Sequence, residues 1–443
     1  MVKGNKIAQI LIRPINKFIR NESSAGIILF ISALIAMIWA NSAWKDAYHH
    51  LWETPLGISF GGFEVNKTLH HWINDGLMAV FFFVIGLELK REVVGGELSN
   101  LKNAVLPIMA GLGGMIIPAL IFIVLNSDPS ATAGWGIPMA TDIAFALGIM
   151  SLLGNRVPIA LKVFLTALAI ADDLGAVLVI AFFYTSKIDF LSLMTGIGFL
   201  GLLVIANVMG VRKTLIYGLL GIGGLWMAFL LSGVHATIAG VLAALAIPAS
   251  VKVDEEEFSD EMEELLQKFR AADPNNNPLL TAEQLHILEA MKQTCAAAET
   301  PLQKLEHSMH GLVAYVVMPV FALANAGIEL GGNLWQELFT PLTLAVAVGL
   351  IGGKFIGIML SSSLLVKLGW AELPQQTTWK QMTGVALLAG IGFTMSLFIT
   401  ELAYNDVELI KKAKLGVLFA SLVSGATGYI ILRSAANPTD ATK

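Results

Sequence analysis

The stretch LAIADDLG, Leu168–Gly175, places two adjacent aspartates in the middle of the apolar segment VFLTALAIADDLGAVLVIAFF. About 20 mostly apolar residues are enough for a helix to cross a bilayer. A charged side chain at the centre of such a helix costs about 2.5–3.5 kcal/mol on insertion scales. Because Asp172 and Asp173 incur this cost side by side, we expect them to serve a function.

The composition of the chain is typical of an integral membrane protein. Of its 443 residues, 56% are hydrophobic and 14% are charged, whereas a soluble domain carries about 25% charged residues. The net charge of -5 gives no indication of a nucleic-acid partner. The single cysteine, Cys295, excludes an intramolecular disulfide framework. A basic N-terminus precedes an uncharged run between Glu22 and Lys45, which favours an uncleaved first span over a signal peptide.

The apolar segments predict an all-α polytopic fold of about twelve transmembrane helices. Their cores lie near residues 24–41, 70–89, 104–125, 134–153, 159–184, 190–209, 214–231, 233–250, 308–327, 342–366, 382–400 and 413–432. Lys and Arg are concentrated in alternate loops, which predicts that both termini face the cytoplasm. Three lysines ahead of the last span, Lys411, Lys412 and Lys414, depart slightly from this rule.

A β-hairpin is predicted outside the bilayer, on the extracellular side. The segment PLGISFGGFEVNK, Pro55–Lys67, alternates apolar and polar residues about the pair Gly61-Gly62, which is typical of a hairpin. Because a lone hairpin is marginally stable in water, it could pair with a second copy in a dimer. From the sequence alone, a surface flap is an equal alternative.

A polar insert, residues 251–301, separates predicted spans one to eight (1–250) from spans nine to twelve (302–443). It predicts two helices in a cytoplasmic hairpin, with Ser259 and Thr281 as caps. The connecting segment from Asp273 to Gln284 has polar side chains at three positions of a calcium loop. However, Pro278 replaces the required glycine and Gln284 the bidentate glutamate. A capped helical turn is therefore favoured over a calcium site.

Few charged residues lie inside the predicted spans: Asp142, Asp172, Asp173 and Lys354 are central, and Asp75 is nearer the extracellular end of span two. Neighbouring side chains on a helix point about 100° apart, so the adjacent aspartates face different directions. Two buried carboxylates titrate as a coupled pair, and a proton and a hard monovalent cation can compete for their oxygens. The charges therefore predict cation/proton exchange, with a structural ion pair as the alternative.

Two similar segments indicate an internal repeat. ATDIAFALG, Ala140–Gly148, lies in span four, and LAGIGFTMS, Leu388–Ser396, lies in span eleven. Both contain small or polar residues that weaken a helix, and each is in the middle of three spans, three to five and ten to twelve. If span four unwinds at Asp142, its carboxylate can offset the positive ends of the half-helices, and Lys354 the negative ends.

Five segments resemble the NhaA family of bacterial sodium/proton antiporters. They are FFFVIGLELKRE (Phe81–Glu92), PMATDIAFALGIMSLLG (Pro138–Gly154), LTALAIADDLGAVLVIA (Leu165–Ala181), LEHSMHGLVAYVVMPVFALANAG (Leu305–Gly327) and LLAGIGFTMSLFI (Leu387–Ile399). The resemblance implies twelve helices with inverted repeats, in which helices four and eleven are broken and cross at mid-membrane. In this family, as in other secondary transporters, the ion site lies where the broken helices meet.

By position, the resemblance implies roles for the intramembrane residues. Asp173 is the expected principal Na⁺ or Li⁺ ligand, and Asp172 is a cation and proton site beside it. Thr141 is a candidate ligand, Lys354 the expected partner of Asp172, and Asp142 the expected stabiliser of the crossed helices.

The resemblance also implies a pH-sensing region at the cytoplasmic side, where histidines that titrate near neutrality fit the role. Its residues are Glu88, Arg91, Glu92, Glu306, His307 and His310. Asp75 and His235 match further family positions, although an isolated packing histidine is the simpler interpretation of His235. The 55–67 hairpin resembles the family's dimerisation element, so a homodimer is expected.

The sequence therefore predicts an electrogenic, pH-regulated Na⁺(Li⁺)/H⁺ antiporter of the bacterial cytoplasmic (inner) membrane, which exports Na⁺ by alternating access. It would be a transporter without a cofactor and not an enzyme. A cation-coupled symporter of a small organic solute would need groups shaped for that solute at mid-membrane, and few are present. An intramembrane aspartyl protease would need two converging carboxylates. Asp142 and Asp172 could supply them, but Lys354 would disrupt a shared-proton pair.

Overall fold

The computed structural model describes residues 23–60, 63–185, 188–272, 279–331 and 334–435. The basic N-terminus, the Gly61-Gly62 turn and residues 273–278 of the possible calcium loop lie outside the described residues.

The described chain consists mainly of helices. In chain order they are α1 Ser23–Ala40, α2 Lys45–Glu53, α3 Met78–Gly95, α4 Leu101–Leu125, α5 Ile143–Ser151, α6 Ile159–Phe183, α7 Phe190–Val208, α8 Thr214–Ser232, α9 Ala236–Ala246, α10 Glu255–Ala271, α11 Ala282–Ala298, α12 Pro301–Asn325, α13 Leu334–Leu338, α14 Pro341–Lys367, α15 Trp379–Leu388, α16 Phe393–Ala403 and α17 Val407–Ala435. Helices α8, α12 and α14 each contain a π-helical stretch, at Leu219–Trp226, Val313–Val317 and Gly349–Gly353. Shorter turns are the helix Leu69–His71, the π-helical Trp72–Leu77 and the 3₁₀ segments Glu97–Ser99, Pro129–Met139 and Gly154–Arg156.

Every predicted span core overlaps a helical segment. Within the described ranges, seven helices (α4, α6, α7, α8, α12, α14 and α17) are long and apolar enough to cross a membrane, and up to ten spans result if each bent helix pair is one span. Helices α3 and α9 coincide with predicted spans two and eight, but α3 is charged at its end and α9 is short. The count of twelve therefore stays a prediction, while the polytopic helical fold is confirmed.

The two predicted broken helices are present. The 3₁₀ segment Pro129–Met139 and α5 meet at an angle of 45°, and α15 and α16 meet at 42°. Each broken pair stands between two long helices, α4 and α6 in the first case and α14 and α17 in the second. This matches the two predicted groups of three spans.

Helices α4 and α14 pack closely beside the first broken helix. The approach is tightest at Gly113 and Gly357, where a Cβ on Gly357 would lie 2.1 Å from the carbonyl oxygen of Gly113. Only glycine permits this contact, because the backbone of one helix occupies the space of a side chain on the other. The contact brings the α14 turn that carries Lys354 against α4.

The predicted β-hairpin is also present. Strands β1 Pro55–Phe60 and β2 Phe63–Thr68 pair antiparallel, with Leu56 opposite Lys67. The indole N–H of Trp72 donates a hydrogen bond of 2.8 Å to the Leu56 carbonyl, which attaches the hairpin to the turn before α3. We call the end of the bundle that carries the hairpin the hairpin side.

The polar insert forms the expected pair of helices, α10 and α11, which pack against each other. Thr281 caps α11, as predicted, and Gln284 completes a capping box with it. The prediction that Ser259 is a cap is wrong: α10 begins at Glu255 and is capped by Asp254. Three glutamates in the first turn favour this earlier start because they interact well with the helix dipole. We call the end of the bundle that carries α10 and α11 the insert side.

Candidate ion-binding site

The two broken helices meet at their breaks. The backbone N–H of Asp142, one residue before α5, donates a hydrogen bond of 2.6 Å to the carbonyl of Ile391, two residues before α16. A helix break leaves backbone groups without intrahelical partners. Here, a backbone N–H left unpaired at one break bonds to a backbone carbonyl at the other break.

The Asp142 carboxylate binds the start of both half-helices. One oxygen, Oδ1, accepts the N–H of Phe145 in α5 at 2.9 Å. The other, Oδ2, accepts the Thr394 N–H of α16 at 3.1 Å and the Thr394 hydroxyl at 2.5 Å. Helix N-termini carry partial positive charge, so one buried carboxylate offsets two of them. This is the geometry expected of Asp142, whereas Thr394 was not anticipated.

Asp172 is held by an ammonium and a hydroxyl. Lys354 Nζ donates to Asp172 Oδ2, and both side chains are fully buried. The Thr141 hydroxyl lies 2.7 Å from the same carboxylate oxygen and 2.8 Å from the Ala389 carbonyl, where α15 ends. Thr141 therefore joins the ion pair on α6 and α14 to both breaks.

Asp173 differs sharply from its neighbour. Its side chain is fully buried, yet among the described residues neither of its carboxylate oxygens has a hydrogen-bond partner. Asp172 Oδ1 is likewise without one. A buried carboxylate is strongly disfavoured unless it is protonated or paired with a cation. The two aspartates thus offer three unpaired oxygens, and oxygens are the ligands that hard cations prefer.

The donor set consists of two carboxylates and neutral oxygens. Throughout the described ranges, no three His, Cys, Asp or Glu side chains come together in an arrangement that could hold a metal ion. The site residues predicted from the intramembrane charges, Asp142, Asp172, Asp173 and Lys354, are nevertheless brought to one region, together with Thr141.

Four of the six residues of the predicted pH-sensing region join α3 to α12, and a fifth, Glu92, binds Arg91 within α3. Arg91 binds Glu306 at 2.5 Å and Glu92 at 2.8 Å, and His310 Nδ1 lies 3.5 Å from Glu88 Oε1. The sixth residue, His307, is exposed and stands outside these ion pairs.

Two further candidates lie away from the crossing. His235 Nε2 lies 2.7 Å from the Tyr184 carbonyl, so this ring connects the start of α9 to the end of α6. Asp75 is half-buried in the π-helical turn before α3, and its carbonyl accepts the Trp226 indole N–H at 3.3 Å. The contact of His235 agrees with a packing role.

Two other lysine contacts were not anticipated. Lys90 donates to the carbonyls of Leu245 and Ile247, at 2.6 and 2.5 Å, and so caps the end of α9. Lys414 on α17 binds Glu401 on α16 at 2.6 Å, and both side chains are largely buried. The sequence signal for the second pair was present, because Lys414 departed from the loop charge rule.

Comparisons with known proteins find relatives that match nearly the whole chain. Residues 16–432 match the family described as Na⁺/H⁺ antiporter 1. The chain is 48% identical to the Na⁺/H⁺ antiporter NhaA of Oleidesulfovibrio alaskensis, over 96% of this chain and 94% of that protein. It is 47% identical to Na⁺/H⁺ antiporter NhaA 1 of Saccharophagus degradans, over 97% and 92%.

Among solved structures, the chain is similar to the sodium proton antiporter MjNhaP1 of Methanocaldococcus jannaschii. The identity is 13%, the TM-score is 0.47, and the match covers 93% of this chain and 92% of that one. The family resemblance stated from the sequence motifs is confirmed by the match over residues 16–432 and by the curated relatives. The chain belongs to the Na⁺/H⁺ antiporter 1 family, and it is a multi-pass bacterial membrane transporter rather than an enzyme.

Proposed function

We propose that this protein exports Na⁺ or Li⁺ in exchange for protons by alternating access across the bacterial cytoplasmic membrane. The observation that carries the proposal is Asp173, a fully buried carboxylate without a hydrogen-bond partner among the described residues, beside the ion-paired Asp172. Such a group requires either a proton or a cation, which is the choice an antiporter must make at each half-cycle.

In this proposal Asp173 is the principal cation ligand. The free oxygen of Asp172 and the Thr141 hydroxyl are the further ligands on the same side of the crossing. When the cation leaves, protons take its place on the carboxylates. Two acids allow more than one proton per cation, so the exchange moves net charge and is electrogenic.

Asp142 and Lys354 have electrostatic roles at the site. Asp142 holds the two half-helix N-termini together, while Lys354 neutralises Asp172 as long as no cation does. A cation that approaches Asp172 competes with the Lys354 ammonium, which couples cation binding to the position of α14.

The test is Na⁺-dependent dequenching of a ΔpH probe in everted membrane vesicles. Asp173→Asn keeps the size of the side chain and removes its charge, so we expect the Na⁺ response to fall to background. Asp46→Asn, on the exposed part of α2, is the matched control and should respond like the wild type. A wild-type response from Asp173→Asn would refute the site assignment.

The same geometry disfavours an aspartyl protease, and an uptake assay tests the symporter. Lys354 occupies an oxygen of Asp172, so Asp142 and Asp172 do not form the shared-proton pair that an aspartyl protease needs. A symporter of an organic solute would show solute uptake that depends on Na⁺, which is measurable in the same vesicles.

We further propose that the Arg91 and His310 ion pairs regulate transport by pH. They join α3 to α12 on the insert side, and they contain the groups Glu88, Glu92 and Glu306. A change of protonation there alters the attraction between the two helices. His307 is exposed and lies outside these ion pairs.

The finer points of assembly and orientation are also proposals. A two-stranded sheet has two open edges, and a second copy of the chain can cover one of them; we therefore propose a homodimer through residues 55–67. The arrangement of basic loops supports a cytoplasmic location of both termini and of the 251–301 insert. The insert then divides membrane parts 1–250 and 302–443.

A further inference from the structure

An aromatic layer covers the helix crossing toward the hairpin side. Phe398 lies one turn after Thr394 on the same face of α16. Its ring centroid is 5.7 Å from that of Phe82 on α3 and 6.2 Å from that of Phe321 on α12. All three rings are fully buried. Along α16, the layer therefore lies between Thr394 at the crossing and the later end of the helix.

Beyond this layer, each of the three chain segments presents a polar side chain. On α16, Glu401 follows Phe398 by three residues. On α12, Asn325 follows Phe321 by four, and its side-chain amide donates to the Phe321 carbonyl at 3.1 Å. The turn before α3 contributes Asn74, whose Oδ1 accepts the Asn325 amide at 2.9 Å. The polar groups therefore lie on one side of the aromatic layer.

Two more residues complete what we call the hairpin-side cluster: His70, Asn74, Asn325, Glu401 and Lys414. His70 Nε2 lies 3.0 Å from Asn325 Oδ1, and Lys414 Nζ lies 2.6 Å from Glu401 Oε1. Glu401 lies within electrostatic range of His70 as well as of Lys414. The cluster thus draws on the short helical turns before α3 and on α12, α16 and α17.

A contribution to stability does not by itself explain why the Glu401–Lys414 ion pair is present. The side chains are 15% and 9% exposed. Replacing such a buried pair by apolar residues is often neutral or stabilising. Ionisable residues in transmembrane segments more often mark ion pathways.

We propose that Glu401 is a second cation-binding residue, which holds Na⁺ or Li⁺ as the ion passes between the Asp172–Asp173 site and the hairpin side. This inference rests on the antiport function proposed above. The side-chain oxygens of Asn74 and Asn325 are the neutral ligands. Glu401 lies two turns beyond Thr394, about 10 Å along α16 at 1.5 Å per residue.

Lys414 is the counter-ion that the transported cation replaces. An alkali cation has the same charge as an ammonium, so the exchange leaves the net charge of the cluster unchanged. A lysine has a long flexible stem and can turn its ammonium toward the aqueous boundary when it is displaced. The step therefore requires no additional buried charge.

The test uses proteoliposomes in which the apparent KM for Na⁺ is measured separately from each side. Orientation is determined with a membrane-impermeant maleimide on Cys295, which is exposed on the insert side. The variant Glu401→Gln/Lys414→Gln removes both charges together, so no unpaired charge is left buried. We expect the KM on the hairpin side to rise about tenfold, as for loss of one charged contact. The KM on the insert side should change less than twofold.

The matched control is Glu337→Gln/Lys411→Gln, which removes the neighbouring pair between α13 and α17. It should leave both KM values within twofold of the wild type. If the Glu401 double variant also retains both wild-type KM values, the pair is structural and the proposal is wrong.

A second variant keeps the proposal testable if the double variant is unstable. Lys414→Gln alone leaves Glu401 free of its ammonium, so the hairpin-side KM should fall below the wild-type value. A value equal to or above the wild type would contradict the proposal. If wild-type vesicles show no Na⁺/H⁺ exchange, the proposed function itself fails; if they exchange normally and only these sided effects are missing, the Glu401 subsite alone fails.

Discussion

Two lysine–carboxylate pairs lie inside the helix bundle, Lys354–Asp172 and Lys414–Glu401. They share their chemistry but differ in burial and in their neighbouring residues. The first pair is fully buried at the helix crossing, and the carboxylate of Asp173 follows it in the chain without a partner among the described residues. The second is slightly exposed, and an apolar residue, Leu402, follows Glu401 in the chain. An ion pair by itself therefore does not identify the transport site. We base the proposed transport site on the unpaired acid next to the first pair.

The largest expected effect comes from breaking the central pair. Lys354→Met leaves Asp172 buried without its counter-ion, and removal of one partner of such a pair typically costs about 3–5 kcal/mol of stability. We expect a matching fall in the thermal unfolding temperature of the purified protein and loss of Na⁺/H⁺ exchange. Asp172→Asn/Lys354→Met should recover most of the stability but not the transport.

The corresponding change at the Lys414–Glu401 pair, called the outer pair below, compares the loss of stability at the two pairs. Lys414→Met should destabilise the protein less than Lys354→Met, because Glu401 retains some solvent contact. Equal destabilisation would show that depth does not distinguish the two pairs.

The next effect concerns the double cap made by Asp142. Asp142→Ala removes the acceptor from the starts of both α5 and α16. Loss of a single cap costs about 0.5–2 kcal/mol, so we expect about 2–3 kcal/mol here, measured by thermal or denaturant unfolding in detergent. Asp189→Ala is the matched control, since that carboxylate caps only α7 from an exposed loop. An equal loss of stability in the control would show that capping two half-helices at the crossing gives Asp142 no larger stabilising effect than a single cap.

These contrasts also show what the sequence could reveal. A charge inside a long apolar segment is conspicuous even when the ends of the helix are not known. This is why the sequence identified Asp142, Asp172, Asp173 and Lys354. The contact of Thr394 with Asp142 could not, because it depends on how two chain segments far apart in sequence cross. A hydroxyl inside an apolar helix carries no comparable signal.

The outer pair was missed for a different reason. The predicted core of span eleven ended at residue 400, one residue before Glu401, and Lys414 was assigned to the boundary of span twelve. In the structure α16 continues to Ala403 and α17 begins at Val407. Each lysine that departed from the loop charge rule has an acidic partner: Lys411 has Glu337, Lys412 has Glu408 and Lys414 has Glu401. Hydropathy predicts helix ends only to within a turn. It carries no information on which residue of another helix will be the partner.

A smaller effect is expected at the insert side, where the ion pairs are more exposed than at the crossing. Glu306→Gln removes one partner of Arg91 and one titratable group from the junction of α3 and α12, while Glu92 remains bound. We expect transport to persist and its dependence on pH to become less steep, as measured by exchange rates over a pH series. His307→Gln, outside the ion pairs, should leave the pH profile unchanged. If the two variants behave alike, these contacts do not regulate transport.

The last prediction concerns membrane orientation, and its test leaves transport intact. The test decides whether the insert side or the hairpin side faces the cytoplasm. Cys295 is the chain's single cysteine and is exposed on α11. If the insert faces the cytoplasm, a membrane-impermeant maleimide should label Cys295 in everted vesicles and leave it unlabelled in intact cells. Cys295→Ala shows the background and should exchange Na⁺ at the wild-type rate. Labelling in intact cells would invert the assignment of the two sides. The Arg91 contacts would then face the exterior, and the Glu401–Lys414 pair would lie on the route by which Na⁺ enters the protein from the cytoplasm.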